Sequence, residues 1–368
     1  MIYLDLAATA PVRREVLEAM WPYLTRDFGN PASHHQIGDA ARRAIEDARR
    51  RVARILGARA GEVTFTSGGT EGANTAVKGI ALADPRGRHV VVGAAEHPAV
   101  LESAAWLGRL GYQIDRVPVD ASGAVTPEAL AAVLRDDTTL VSVQYANNEV
   151  GTVNPIAELA AVARECGVPF HTDAVQAGGW LDLDVRDLGV TALSLSGHKL
   201  GTPRGSGVLW IDRRQPWEPL IHGGGQQDGR RSGTEDVAAA VGVATALERG
   251  HGDREVVAAR RDRFIAGIEA GVPRARLTGS RTARLPGHAS FVFPGRSGES
   301  ILVDLEARGI VCSSGSACAA GSDEPSHVLT AMGIEPEIAQ TAVRFTFDAS
   351  FAEEAVDEVV AAVTAVCG

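Results

Sequence analysis

Five short segments of the chain carry residue types suited to chemistry rather than packing. The segment Val311-Cys312-Ser313-Ser314-Gly315-Ser316-Ala317-Cys318-Ala319-Ala320-Gly321 surrounds a cysteine with small residues. Such a stretch packs no core and is expected to move. An exposed cysteine with a lowered pKa is a competent nucleophile; the plainer alternative is a Ser/Gly turn with an incidental thiol. The segment Ser194-Leu195-Ser196-Gly197-His198-Lys199 runs a strand into a small-residue turn that ends on a lysine. A lysine so placed can condense with an aldehyde cofactor if its pKa is depressed, or it is simply a surface lysine after a strand.

In His171-Thr172-Asp173-Ala174-Val175-Gln176 an acid follows an apolar strand. A buried carboxylate needs a cationic partner, and a protonated ring nitrogen is one; Gln176 could reach a ring oxygen. Asp173 as an ordinary helix cap is the competing account. In Phe65-Thr66-Ser67-Gly68-Gly69-Thr70-Glu71 a strand enters a Gly-Gly turn before a helix. Its free N–H groups and positive end suit a phosphate, although no Gly-Lys-Ser/Thr follows as in a Walker loop. His97, in Ala95-Glu96-His97-Pro98-Ala99, could stack on a ring and move protons near neutral pH, or be structural.

The elements that must position these residues alternate. Short apolar runs at Val63–Thr66, His89–Val92, Leu140–Tyr145, Val168–Thr172, Ala192–Ser196 and Gly207–Ile211 read as strands. Helical spacing marks His34–Leu56, Glu71–Leu82, Val100–Leu110, Pro127–Arg135 and Ile156–Cys166. This order predicts an α/β fold with a mostly parallel mixed sheet flanked by helices. The Gly-rich stretch Gly223–Gly233 reads as a functional loop, and Glu235–Glu269 as a helix broken near Gly250–Gly252. The tail reads as a smaller α+β unit, with strands Ala289–Phe293 and Ala342–Phe347 and helices Glu299–Arg308 and Ala352–Val366.

A length of 368 residues implies about two domains. We expect a large domain over 12–248, and a small one built from 1–11 and 249–368 that carries the cysteine loop. A net charge of -10 argues against nucleic-acid binding. The run Arg49, Arg50, Arg51 and Arg54 reads as a solvated helix face. Four cysteines without a CxxC pair argue against metal clusters and structural disulfides, so Cys312 reads as a small hydrophobe. Adjacent His34 and His35 diverge on a helix, and no metal site is expected. No apolar run is long enough to span a membrane, and no basic leader precedes Met1–Asp5, so a reducing cytoplasm is expected.

Taken in order, the motifs resemble those of the cysteine desulfurases, class V aminotransferases of pyridoxal-phosphate (PLP) fold type I. The resemblance runs through Tyr3-Leu4-Asp5, Ala7-Ala8-Thr9, Phe28-Gly29-Asn30-Pro31-Ala32-Ser33-His34, Thr66-Ser67-Gly68-Gly69-Thr70-Glu71, Ala146-Asn147-Asn148-Glu149-Val150-Gly151 and Asp173-Ala174-Val175-Gln176. It continues through Ser196-Gly197-His198-Lys199, His222-Gly223-Gly224-Gly225, Arg231-Ser232-Gly233-Thr234, Ser313-Ser314-Gly315-Ser316-Ala317-Cys318 and Val343-Arg344-Phe345. The Ser-Ser-Gly-Ser-Ala-Cys form is similar to the subgroup with the longer cysteine loop. Thr202-Pro203-Arg204-Gly205, Ala10, Ala319 and Ala320 depart from the usual pattern without removing a chemical group.

The resemblance implies roles. Lys199 would bind the pyridoxal 5'-phosphate aldehyde, Asp173 its ring nitrogen and Gln176 its ring oxygen, with His97 stacked above. Gly69, Thr70, Ser196 and His198 would hold the phosphate, joined by Thr234 from the second subunit of a homodimer. Asn148 and Arg344 would bind the carboxylate of L-cysteine, arginine because its planar fork matches two oxygens. Cys318 would carry the sulfur as a persulfide to an acceptor protein: an iron–sulfur scaffold, a tRNA thiolation enzyme or a pathway-specific carrier. The competing reactions on such a frame are a selenocysteine lyase, an aminotransferase and an epimerase, none of which requires Cys318.

Overall fold

The computed structural model describes residues 1–83, 85–315 and 324–368. Its strands are β1 (Ile2–Tyr3), β2 (Val63–Thr66), β3 (His89–Gly93), β4 (Gln113–Val117), β5 (Thr138–Ser142), β6 (Phe170–Asp173), β7 (Ala192–Ser196), β8 (Gly207–Ile211), β9 (Arg276–Leu277), β10 (His288–Val292), β11 (Ile310–Val311) and β12 (Ala342–Thr346). Seven of them form one sheet in the order β2-β8-β7-β6-β5-β3-β4. Only β8 runs against its neighbours; every other pair is parallel.

The alternation of side chains across the pleat splits the core in two. Val91, Val141, Leu193 and Val208 face helices Gln36–Ile55, Ile156–Glu165 and Val237–Arg249. Val90, Val92, Leu140, Ala192 and Leu209 face helices Gly69–Ala83 and Pro98–Gly108. Every residue of β3, β5, β6 and β7 is buried, as expected of parallel strands covered on both faces.

The C-terminal residues build a second core. The antiparallel sheet β12-β10-β9 packs with helices Arg254–Gly271, Gly298–Glu306 and Ala355–Cys367 around Phe264, Phe291, Phe345 and Phe347. Phe264 meets Phe345 edge-on, centroids 5.1 Å apart. The amino terminus belongs to this core: β1 pairs with β11, and Leu4 is buried with the phenylalanines.

Three expectations change. Helix Arg14–Thr25 was not foreseen, because Pro22 lies within it and Leu17, Trp21 and Leu24 stay exposed. Strand β4 was not foreseen, because at the sheet's edge Gln113–Val117 needs little apolar character. The arginine run is not simply solvated: Arg49 pairs with Glu235 and Arg51 with Glu248, both across to the neighbouring helix segment, while Arg50 meets Asp47. Cys312 is half-buried against the second core, and burial pushes its thiol up to about 12.

Candidate active site

Strands β2, β3, β5, β6 and β7 end on one edge of the sheet. The loops that leave them wall a cavity of about 470 Å³. This is where open α/β sheets gather their ligands, at the carboxyl ends of the strands. Its lining includes Gly69, Thr70, His97, Asn148, Asp173, Gln176, Ser196, His198, Lys199 and Arg344. Ten residues singled out from sequence thus come together. Thr234 does not: it is exposed and lines a separate hollow with Gln227, Arg231 and Glu235. Cys318 lies outside the described residues.

Lys199 ends a short turn after β7, and its Nζ donates to the carbonyls of Ala7 and Ala8, each at 2.5 Å. Gln176 also donates to the Ala7 carbonyl, at 3.1 Å. Thr9 and His198 share a hydrogen bond of 3.2 Å, and Ala10 N–H donates to the His198 carbonyl. A strap of residues 6–10 therefore lies against the lysine; Ala7-Ala8-Thr9 sat inside a recognised motif without a role.

Asp173 is the last residue of β6 and is buried. Burial raises its carboxyl to about 6, against a hydrogen bond from Val175 N–H and the Lys199 charge. The sheet beneath is tied by His171, whose ring bonds Ser142 at 2.8 Å and Ser194 at 3.2 Å. Burial drives that imidazole down to about 3, so it is neutral. His97 caps helix Pro98–Gly108 by accepting from Ala99 N–H. Burial first, then the Lys199 and His327 charges, lower it to about 4. His198 is lowered to about 4 by burial and the charges of Lys199 and Arg204. Both rings are neutral at neutral pH.

Helix Gly69–Ala83 starts at the cavity wall. A Cβ on Gly69 would lie 2.5 Å from Val175 Cγ2, so bare backbone is the only wall that fits there. Behind it, Glu71 accepts from Ser67 N–H and from Arg231 at 3.0 Å, locking the turn. Arg344 is almost fully buried, at 1% exposure. It donates to the Asn148 carbonyl at 2.8 Å and the Gly315 carbonyl at 3.0 Å, and pairs with Asp5 at 2.7 Å. Its buried Nε has no hydrogen-bond partner among the described residues.

Sequence reasoning missed other parts of the wall. Gln144, Glu149, Ser326 and His327 line the cavity. His327 bonds the Glu96 carbonyl at 2.9 Å, and Ser326 donates to Glu149 at 2.5 Å. Glu96 is buried behind His97, and burial pushes its carboxyl well above the usual range. Asp5 and Glu149 sat inside recognised motifs without a role; His327 gave no signal at all.

A buried acid, a lysine and a bare helix start around one cavity fit a flat, aldehyde-bearing ring with a phosphate tail. This is the layout of the pyridoxal-phosphate enzymes of fold type I. The chain matches the aminotransferase class-V family over residues 2–359. It is 46% identical to a cysteine desulfurase IscS of Dictyoglomus turgidum, over 94% of this chain and 89% of that one. A solved NifS-like protein superposes with a TM-score of 0.92 at 34% identity, covering 99% and 98% of the two chains. A structure of SspA in complex with cysteine superposes at 0.85 with 34% identity, covering 95% and 99%. The chain belongs to the cysteine desulfurases of the aminotransferase class-V family, enzymes that work with pyridoxal 5'-phosphate.

Proposed function

We propose that this chain moves the sulfur of L-cysteine onto Cys318 and releases L-alanine, using the roles assigned above. The observation that carries this reading is the convergence of Lys199, Asp173, His97 and Arg344 on one cavity. In the bound state pyridoxal phosphate supplies an electron sink conjugated to the substrate's α-carbon. Asp173 holds the ring nitrogen, Gln176 the ring oxygen, and Gly69, Thr70, Ser196 and His198 the phosphate. Arg344 and Asn148 hold the substrate carboxylate; the unpartnered Arg344 Nε supports this, because a buried donor calls for an acceptor.

Lys199 takes the proton from Cα and, with the neutral His97, returns protons where they are needed. The Cys318 thiolate attacks the substrate sulfur. A sulfur–sulfur bond forms, the sulfur–Cβ bond breaks, and its electron pair leaves with Cβ. Cβ gains a proton and becomes the methyl of alanine, while Cys318 keeps the sulfane sulfur.

Thr234 completes the phosphate site of a second copy in a homodimer; its exposure away from its own cavity supports this. The persulfide passes to an acceptor protein, such as an iron–sulfur scaffold, a tRNA thiolation enzyme or a pathway-specific carrier. No helix among the described residues is long and apolar enough to cross a membrane, and a thiol carrier suits the reducing cytoplasm.

Mass spectrometry after L-cysteine treatment tests the core claim. The Cys318 peptide should gain one sulfur atom. Cys318→Ser should keep the cofactor's absorbance yet lose sulfide release; normal release from that variant would refute the assignment.

A further inference from the structure

The turn after β5 that carries Asn148 and Glu149 has its backbone held from two different sources. Three of its N–H groups are satisfied locally. The Asn147 side-chain oxygen accepts from Glu149 N–H at 2.8 Å and Val150 N–H at 2.9 Å, and Gly151 N–H donates to the Asn147 carbonyl. Its carbonyls are satisfied from the C-terminal residues, one after another. Arg344 takes Asn148 O at 2.8 Å, His288 takes Glu149 O at 3.1 Å, Arg284 takes Val150 O at 2.8 Å, and Leu285 N–H takes Gly151 O at 2.9 Å.

Arg284 is a costly device. It is 5% exposed and makes no ion pair within 4 Å among the described residues. Its guanidinium is spent on carbonyls: Val150, Ser280, Thr278 and His288. Burying a cation against neutral acceptors alone is unfavourable, so a fold keeps it where geometry matters. His288 is 1% exposed and packs on Gly151, whose φ is +76°. A Cβ on Gly151 would lie 2.6 Å from the His288 ring, so glycine there lets the ring reach Glu149 O.

We propose that Arg284 and His288 are positioning residues that set affinity for the substrate's carboxylate. They fix the 147–151 turn so that Asn148 faces Arg344 across the end of the cavity. This rests on the reading that Asn148 and Arg344 hold that carboxylate. Neither Arg284 nor His288 lines the cavity; His288 borders a smaller hollow shared with Gln176 and Lys199, but the hydrogen bonds by which the two residues reach the site run to the turn.

The test compares the Michaelis constants of L-cysteine and its methyl ester in the holoenzyme. His288→Leu removes the donor and should raise KM for L-cysteine about fivefold, the effect of one lost hydrogen bond. Its kcat should stay within about twofold, and KM for the ester should not change. His288→Gln keeps an N–H at similar reach and should restore KM, which a merely structural role would not predict. Arg284→Lys keeps the charge but loses the fork, and should raise KM in the same way; it decides the matter if His288→Leu does not fold.

Arg344→Gln is the control for the underlying reading. If it leaves the acid-to-ester preference intact, the carboxylate assignment fails. If it abolishes that preference while His288→Leu and Arg284→Lys leave KM unmoved, this inference alone fails. An equal rise in KM for acid and ester in those two variants also overturns it.

Discussion

Arg344→Met separates what the arginine does for folding from what it does for substrate. The Arg344–Asp5 contact is 2.7 Å, with side-chain exposures of 1% and 17%. Two charges roughly 4 Å apart attract by about 4 kcal/mol at an effective dielectric of about 20. Desolvation offsets much of that, but removing one partner strands the other, and a broken buried pair costs about 3–5 kcal/mol. Arg344→Met also strips the Asn148 and Gly315 carbonyls of a donor. We expect a loss of about 3 kcal/mol in urea unfolding for Arg344→Met, and a comparable loss for Asp5→Asn. The double variant should be less damaged than the sum, with a coupling of about 2 kcal/mol. In catalysis the two diverge. Arg344→Met should raise KM for L-cysteine about a hundredfold, the worth of a charge-assisted contact of about 3 kcal/mol. Asp5→Asn keeps the guanidinium and should raise it only a few-fold. Additive stabilities would refute the pairing argument, and an unchanged KM in Arg344→Met would refute the substrate role.

His171 should make stability acid-sensitive. Its folded pKa, about 3, lies below the ordinary 6.5, so between those values the unfolded chain binds the extra proton. Stability is full above pH 6.5 and falls as pH drops, by about 2.5 kcal/mol at pH 4.5. Urea melts of wild type and His171→Asn across this window should converge at low pH; parallel curves would contradict it. Asp173, raised to about 6, acts in the opposite sense between about 6 and 3.8 and is common to both proteins, so it cancels. Lys199→Ala should abolish the covalent yellow form of the bound cofactor and turnover while leaving the far-ultraviolet circular dichroism intact; retained turnover would dismiss Lys199 as the essential amine.

What the sequence made legible follows from how local each signal is. β7 and β8 coincide with their expected bounds because an apolar–serine alternation in the first, an apolar run in the second and the small-residue turns beside them define both without help. β5 ends at Ser142, earlier than the apolar run suggested, although Val143 and Tyr145 N–H still donate to the His171 and Asp173 carbonyls of β6, so the chain follows the sheet before it turns to carry Asn148 to the cavity. The helix expected from Glu71 begins at Gly69, since bare backbone must start it against Val175. Ten of the cavity's residues were readable because a motif surrounds each, most of them just past a strand end, with Arg344 inside β12. Asp5, His327 and the 6–10 strap were not. Their meaning exists only once β1 meets β11 and the C-terminal core closes beside the sheet.

The strap has a consequence for how the protein is made on the ribosome. Residues 2–5 are made long before their partners, Ile310–Val311 and Thr346. The central sheet can be assembled while synthesis continues, but the carbonyls that meet Lys199 are anchored only when the last strand has emerged. A nascent chain therefore carries an unfinished centre until Thr346 has emerged, and full seating of the coenzyme waits for a contact that spans 339 positions of sequence.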